Sequence, residues 1–223
     1  MAAPRTYADP CGIARTLDHV GERWALLVVR ELLLGPKRFT DLRDGLPNAS
    51  PNVLAQRLRE LEQAALVRRR RLPPPASCGV YELTEDGRRL GPTLRTLGAW
   101  ALRLPSYDRG APVSPDSVVL GLGTFFDPDA AAELTADYEL RLGEHIFRVR
   151  LADRQIELER GIPDTPDAII DTDAETLAAV VWNERELADA VQAHDLTIEG
   201  DQRLAGHFFT LFRPPPHGPA TVN

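Results

Sequence analysis

Ser50-Pro51-Asn52-Val53-Leu54-Ala55-Gln56-Arg57-Leu58-Arg59-Glu60-Leu61-Glu62-Gln63 decides how the first half of this chain is read. Ser50 is a favoured N-cap, and Pro51 at the first helical position gives up an N–H that would have no partner there. At 3.6 residues per turn, Leu54, Leu58, Leu61 and Ala65 share one stripe, and Asn52, Gln56, Arg59 and Gln63 share the opposite one. Amide and guanidinium groups at that spacing suit base edges in a major groove. The competing reading is an ordinary amphipathic helix with a solvated polar face. Three features favour the groove. The outward stripe lacks Glu and Lys, a short helix from Thr40 to Gly45 precedes it across Pro47-Asn48-Ala49, and a basic strand follows it.

That strand holds Arg68-Arg69-Arg70-Arg71, and because side chains alternate along a strand, two of the four point to each face. Pro73-Pro74-Pro75-Ala76-Ser77-Cys78-Gly79 makes the tip of a hairpin, and residues 80–84 make the returning strand. A helix-turn-helix followed by a basic hairpin is the winged-helix plan. The residues expected at DNA are Thr40 in the first helix, Asn52, Gln56 and Arg59 at the bases, Ser50 or Arg57 near phosphate, and Arg68, Arg69, Arg70 and Arg71 in the wing.

Net charge alone would argue against a polyanion, since the 223 residues sum to -7. The charge is divided, however. Residues 1–105 carry 17 Arg or Lys against 11 Asp or Glu, which is +6, whereas residues 106–223 carry 9 against 22, which is -13. A basic half joined to an acidic half implies a module facing DNA and a module facing something else. Lys37 is the one lysine, so arginine preference is a trait of the whole chain and the position of the four arginines is the better evidence. No N-terminal signal or bilayer-length apolar run is present, and Cys11 and Cys78 are too few for a disulfide scaffold. A reduced, cytoplasmic protein without a membrane partner is expected.

Along the chain, residues 13–20 and 22–34 read as helices broken near Gly21, the second apolar almost all round, as a core helix is. Gly35-Pro36 stops it. A helix runs from Thr84 or Glu85 to about Leu104, with Leu90, Leu94, Leu97 and Ala101 on one stripe. Residues 105–116 read as a linker, rich in turn formers. A helix near 129–135 then precedes alternating runs at 138–142, 145–151 and 155–161, a buried strand at 168–171 and helices at 174–182 and 184–193. Strand 196–200, a helix from 202 to 212 and a disordered tail at 214–223 complete the chain. The fold class is α+β: a winged helix-turn-helix domain over 1–104 and an α+β domain over 117–213.

The first hundred residues resemble the HxlR family of winged helix-turn-helix regulators, relatives of the MarR group. The stretches that match are Cys11-Gly12-Ile13-Ala14, Gly21-Glu22-Arg23-Trp24, Leu32-Leu33-Leu34-Gly35-Pro36, Arg38-Phe39-Thr40-Asp41-Leu42, residues 50–62 and Tyr81-Glu82-Leu83-Thr84-Glu85-Asp86-Gly87. Gly12 stands where the family has proline. The resemblance implies a homodimer formed by the first and last helices of the module and a near-palindromic operator. The second half is similar to sterol carrier protein-like domains in the strands ending at Gly161, in Asp167-Ala168-Ile169-Ile170-Asp171-Thr172-Asp173 and in Leu196-Thr197-Ile198-Glu199-Gly200-Asp201. That similarity implies a small apolar or amphipathic ligand. Phe125, Phe126, Tyr138, Phe147, Trp182, Phe208 and Phe212 are the candidate ligand-facing residues, although aromatics so placed are more often core.

Single features have competing explanations. The resemblance allows Cys11 a role as redox sensor, against a structural cysteine at a helix start, a location that lowers thiol pKa. Asp171-Thr172-Asp173-Ala174-Glu175 starts like a calcium loop but lacks its glycine and its closing glutamate, so Asp173 is better explained as a helix N-cap. His145, His194 and His207 have no metal-ligand spacing, no catalytic triad is visible, and Gly121-Leu122-Gly123 lacks the third glycine of a dinucleotide loop. No cofactor, no metal and no enzymatic activity are expected. The expected function is a DNA-binding regulator tuned by an apolar ligand, with a Cys11 redox switch as the alternative and an enzyme carrying a DNA-binding appendage as the third reading.

Overall fold

Gly21 closes the first helix of the chain, and Gly35-Pro36 follows the second. The computed structural model describes residues 6–74, 77–104 and 113–213. They divide into two units, Met1–Leu94 and Arg95–Asn223, so the division falls inside a helix and not after Leu104. Among the described residues, no helix is long and apolar enough to cross a membrane.

The first unit runs α1 (Gly12–Val20), α2 (Ala25–Leu32), α3 (Phe39–Gly45), α4 (Pro51–Gln63), β1 (Val67–Arg71), β2 (Gly79–Leu83) and the start of α5 (Glu85–Ala101). Trp24 breaks α1 from α2 with a φ of +78°, in the left-handed region. Ala25, Val28, Val29 and Leu32 of α2 pack with Leu42, Leu54, Leu58, Leu61, Val67 and Leu83 in one core. That accounts for a helix apolar almost all round. Glu31 is the exception: it is fully buried and takes Lys37 Nζ at 2.6 Å and Arg30 Nη2 at 2.7 Å. A buried carboxylate is tolerated because it is paired. Lys37 also pairs by its backbone with Tyr81, its N–H donating at 3.0 Å and its carbonyl accepting at 2.8 Å, which ties the loop before α3 to the hairpin.

β1 and β2 pair antiparallel with Arg69 opposite Tyr81. The start of α5 is locked to them. Thr84 Oγ1 donates to the Ala65 carbonyl at 2.7 Å and accepts from Gly87 N–H at 3.1 Å. A Cβ on Gly87 would run into the Leu66 carbonyl, so glycine is required there by close approach. Leu90 and Leu94 of α5 reach the core, but Leu97, on the same expected stripe, and Trp100 are exposed.

The second unit contains α6 (Pro115–Phe125), α7 (Pro128–Ala131), β3 (Ala136–Leu142), β4 (His145–Ala152), β5 (Gln155–Arg160), β6 (Ala168–Thr172), α8 (Ala174–Val181), α9 (Leu187–Gln192), β7 (Leu196–Gly200) and α10 (Gln202–Phe208). The sheet order is β5-β4-β3-β6-β7, with β3 and β6 parallel and every other pair antiparallel. Alternation sets the two faces. Tyr138, Leu140, Phe147, Val149, Leu151 and Ile170 are buried on one face. Side chains of opposite parity pair by charge: Arg148 with Asp137 at 2.5 Å and Glu159 at 3.3 Å, and Arg141 with Glu139 at 2.6 Å.

Three expectations are corrected. Residues 115–116 are not linker: Ser114 accepts from Ser117 N–H and caps α6, a helix absent from the sequence reading. The helix expected at 129–135 ends at Ala131, where Ala132 turns the chain with a φ of +40°. The last helix ends at Phe208, and Leu211 and Arg213 instead pair by backbone with Asp127 and Phe125, each at 2.8 Å. Residues 105–112 of the expected linker, residues 75–76 of the wing tip and the tail 214–223 lie outside the described residues.

Candidate nucleic-acid interface

Ser50 Oγ accepts from the Val53 N–H at 3.4 Å, Pro51 occupies the first turn, and α4 runs for 13 residues from that start. Leu54, Leu58 and Leu61 are fully buried, which fixes the rotation of the helix about its axis. Asn52, Gln56, Arg59 and Gln63 are consequently exposed along its outer face. Ala65 is not on the buried stripe. The helix ends at Gln63, and Ala65 is exposed with a φ of +56°, turning the chain toward β1 while Leu66 N–H bonds back to the Leu61 carbonyl at 2.9 Å.

The outer side chains are linked to one another. Arg59 Nη2 donates to Gln56 Oε1 at 2.6 Å, and Gln56 Nε2 donates to Glu60 Oε1 at 2.7 Å. Glu60 also holds Arg57 Nη1 at 2.6 Å, and Glu22 lies 3.4 Å from the same nitrogen. Arg57 has a side chain only 13% exposed, so a phosphate contact there would first have to break these pairs. Sequence reasoning missed Glu60. It lies four residues after Gln56 and three after Arg57, on the shoulder of the outer stripe, and that spacing was the available signal.

In the wing, all four arginines are exposed, but they differ in their partners. Arg68 and Arg70 both reach Glu82, at 2.8 and 2.9 Å. Arg69 lies over the Tyr81 ring at 4.9 Å and pairs with Glu62 at 3.2 Å. Arg71 has no partner among the described residues. Glu82 and Glu62 are thus the acids that temper the wing, and neither was singled out from the sequence. Thr40, exposed in the first turn of α3, donates to Asp41 at 3.2 Å. Cys11 is exposed ahead of α1, and the N–H groups of Ile13 and Ala14 hold its thiol below the usual pKa. Among the described residues, no group of three His, Cys, Asp or Glu is placed to hold a metal.

Residues 19–106 match the HxlR-like helix-turn-helix family, which covers α2 to α5 and the hairpin just described. The chain is 38% identical over 87 residues to an uncharacterised HTH-type transcriptional regulator, YvaP, of Bacillus subtilis, spanning 39% of this chain and 81% of YvaP. It belongs to the HxlR-like helix-turn-helix family of transcriptional regulators. A further relative in B. subtilis, the HTH-type transcriptional regulator YodB, is 40% identical over 82 residues, or 37% of this chain and 73% of YodB. The solved structure of the reduced form of YodB is 34% identical and covers 44% of this chain and 97% of its own, with a TM-score of 0.39.

This HxlR-like regulator also matches the SCP-2 sterol transfer family over residues 127–213, which begins after α6. There the structure sorts the aromatic candidates into separate groups. Tyr138, Phe208 and Phe212 cluster in the core, with ring centroids of Tyr138–Phe208 and Phe208–Phe212 each 5.1 Å apart. Phe147 is fully buried beneath the Arg160 guanidinium, 4.6 Å from its ring centre. Phe125 and Trp182 are half-buried and meet edge-on at 5.4 Å, and Phe126 bridges by backbone to Phe212. Asp173 caps α8 by accepting from Thr176 N–H at 2.7 Å, as its sequence context implied. Asp116, His145 and Arg160, which meet beside Phe147, were not assembled from the sequence, and their separation along the chain left no local signal.

Proposed function

We propose that the chain is a homodimeric regulator that reads a near-palindromic operator with α4, steadies itself on phosphates through the wing arginines, and is modulated by a small apolar ligand in the second unit. On this reading it is not an enzyme and works in the cytoplasm, with a winged helix-turn-helix domain over 1–104 and a ligand-binding domain over 117–213. One observation carries the DNA reading: the buried Leu54, Leu58 and Leu61 hold α4 so that Asn52, Gln56, Arg59 and Gln63 stand outward together. Exposed Ile13 and Leu17 of α1 and Leu97 and Trp100 of α5 supply apolar surface for a second copy. The match to the SCP-2 sterol transfer family supports the apolar ligand.

The test is operator affinity. Arg59→Ala and Gln56→Ala should each cost on the order of 1–3 kcal/mol on the cognate operator and little on random DNA of equal length. Equal losses on both would place α4 away from the bases. A second reading has its own support: the exposed Cys11 thiol, its pKa lowered by the Ile13 and Ala14 N–H groups, is suited to oxidation. In that case oxidant should change operator affinity, and Cys11→Ser should abolish the change.

A further inference from the structure

The polar side chains of α4 form one continuous chain of contacts, and that chain is anchored from beneath the surface. Arg57, with a side chain only 13% exposed, pairs through Nη1 with Glu60 Oε2 at 2.6 Å, and Glu22 lies 3.4 Å from the same nitrogen. Glu60 Oε1 accepts from Gln56 Nε2 at 2.7 Å, and Gln56 Oε1 accepts from Arg59 Nη2 at 2.6 Å. A carboxylate only accepts and a guanidinium only donates, so these two partners fix which end of the Gln56 amide is its oxygen. An exposed pair three or four residues apart contributes only about 0.2–0.5 kcal/mol, too little to hold an amide against a competing base. Glu60 is held more firmly than that. Releasing it would leave the largely buried Arg57 guanidinium without its nearer carboxylate.

The order of donors and acceptors along this chain decides which base it can meet. A glutamine alone pairs with adenine, its oxygen accepting from the N6 amino group and its nitrogen donating to N7. Here the Gln56 oxygen already faces a cation. An adenine amino group brought to it would meet the Arg59 N–H groups, donor against donor. Guanine places an acceptor, O6, at that same point and keeps N7 beside it. The second Gln56 N–H and the remaining Arg59 N–H groups then both find partners. We propose that Gln56 and Arg59 read one guanine in each half-site as a unit, and that Glu60 is the positioning residue that keeps Gln56 from turning to adenine. The inference rests on the reading that α4 faces the major groove, and adds to it the base selected and the residue that sets the choice.

Selection of randomised duplex DNA by the full-length chain, followed by affinity measurements on the selected site and its single base-pair changes, tests both claims. The position that the unit reads is the one whose preference Arg59→Ala removes. There the selected pair should be G·C, and replacing it with A·T, purine for purine, should weaken binding about tenfold or more. In Glu60→Ala the affinity ratio of G·C to A·T at that position should fall by about threefold or more, because the freed Gln56 amide can then serve adenine. A ratio taken within one protein does not depend on the fraction that is folded, so a damaged variant cannot imitate this result. If the position selects A·T, the guanine assignment is overturned while the groove reading stands. If it selects G·C and Glu60→Ala leaves the ratio unchanged, the positioning role of Glu60 is refuted. If Arg59→Ala removes preference at no position, the inference fails together with the groove reading beneath it.

Discussion

The two units place their charged and polar chemistry differently. In the first, α4 turns leucines inward and sets Asn52, Gln56, Arg59 and Gln63 on an exposed face, so the core's role is to aim a surface. In the second, charge pairs with charge on one face of the sheet, as with Arg148, Asp137 and Glu159, and the apolar groups are enclosed on the other. A surface that must meet a polyanion leaves cations accessible. In the second unit carboxylates stay in excess, 22 Asp or Glu against 9 Arg or Lys over residues 106–223, so the ion pairs leave a net negative exterior around an apolar core.

The largest effect that tests this contrast is on the aiming core. Leu58→Ala leaves a cavity beneath α4 and should cost about 2–5 kcal/mol of stability in urea denaturation. It should cut operator affinity although residue 58 itself cannot touch DNA. Retained affinity at full occupancy of the folded state would mean that α4 is aimed by something other than this core.

A smaller effect should separate the wing arginines. Arg69→Ala with Arg71→Ala should flatten the slope of log affinity against log salt by up to about 2. Arg68→Ala with Arg70→Ala should flatten it less, because Glu82 lies within 2.9 Å of both of those arginines, whereas Glu62 holds only Arg69, at 3.2 Å. Glu82→Gln should then strengthen binding to any DNA sequence. Identical slopes for the two pairs would show that Glu82 gives up its arginines to phosphate.

The smallest effect is in the enclosed unit. Burial, with Asp167 and Asp201 nearby, pushes the Tyr138 hydroxyl up to about 12 from an ordinary 10. The unfolded chain therefore ionises first, so stability is lost as pH rises from 10 toward 12 and this group adds no such slope at lower pH. Tyr138→Phe should cost about 1 kcal/mol near neutral pH, for the hydroxyl's bond to the Leu204 carbonyl, and should remove that alkaline slope. An unchanged slope would place the alkaline loss elsewhere.

Local chemistry made much of this molecule legible. The period of 3.6 in residues 50–63 set which face of α4 is buried, because every leucine in it obeys one helical rotation. Alternation at 138–142, 145–151 and 155–161 located three strands for the same kind of reason. Ala65 broke the pattern because its φ is positive where the helix had already ended. Residues 115–125 escaped notice because glycine and valine argue against a helix, and only Ser114-Pro115 at its start pointed the other way.

By itself, then, the sequence determined the winged-helix plan, the outward residues of α4, the charge division between halves and the sheet strands, since each depends on neighbours within a few residues or on a simple sum. Tertiary structure alone decided that Glu82 tempers Arg68 and Arg70, and that α6 lies where Asp116 meets Arg160 across 44 residues of chain. Pairing energy depends on distance in space, and sequence separation does not encode that distance until the sheet and its covering helices have formed.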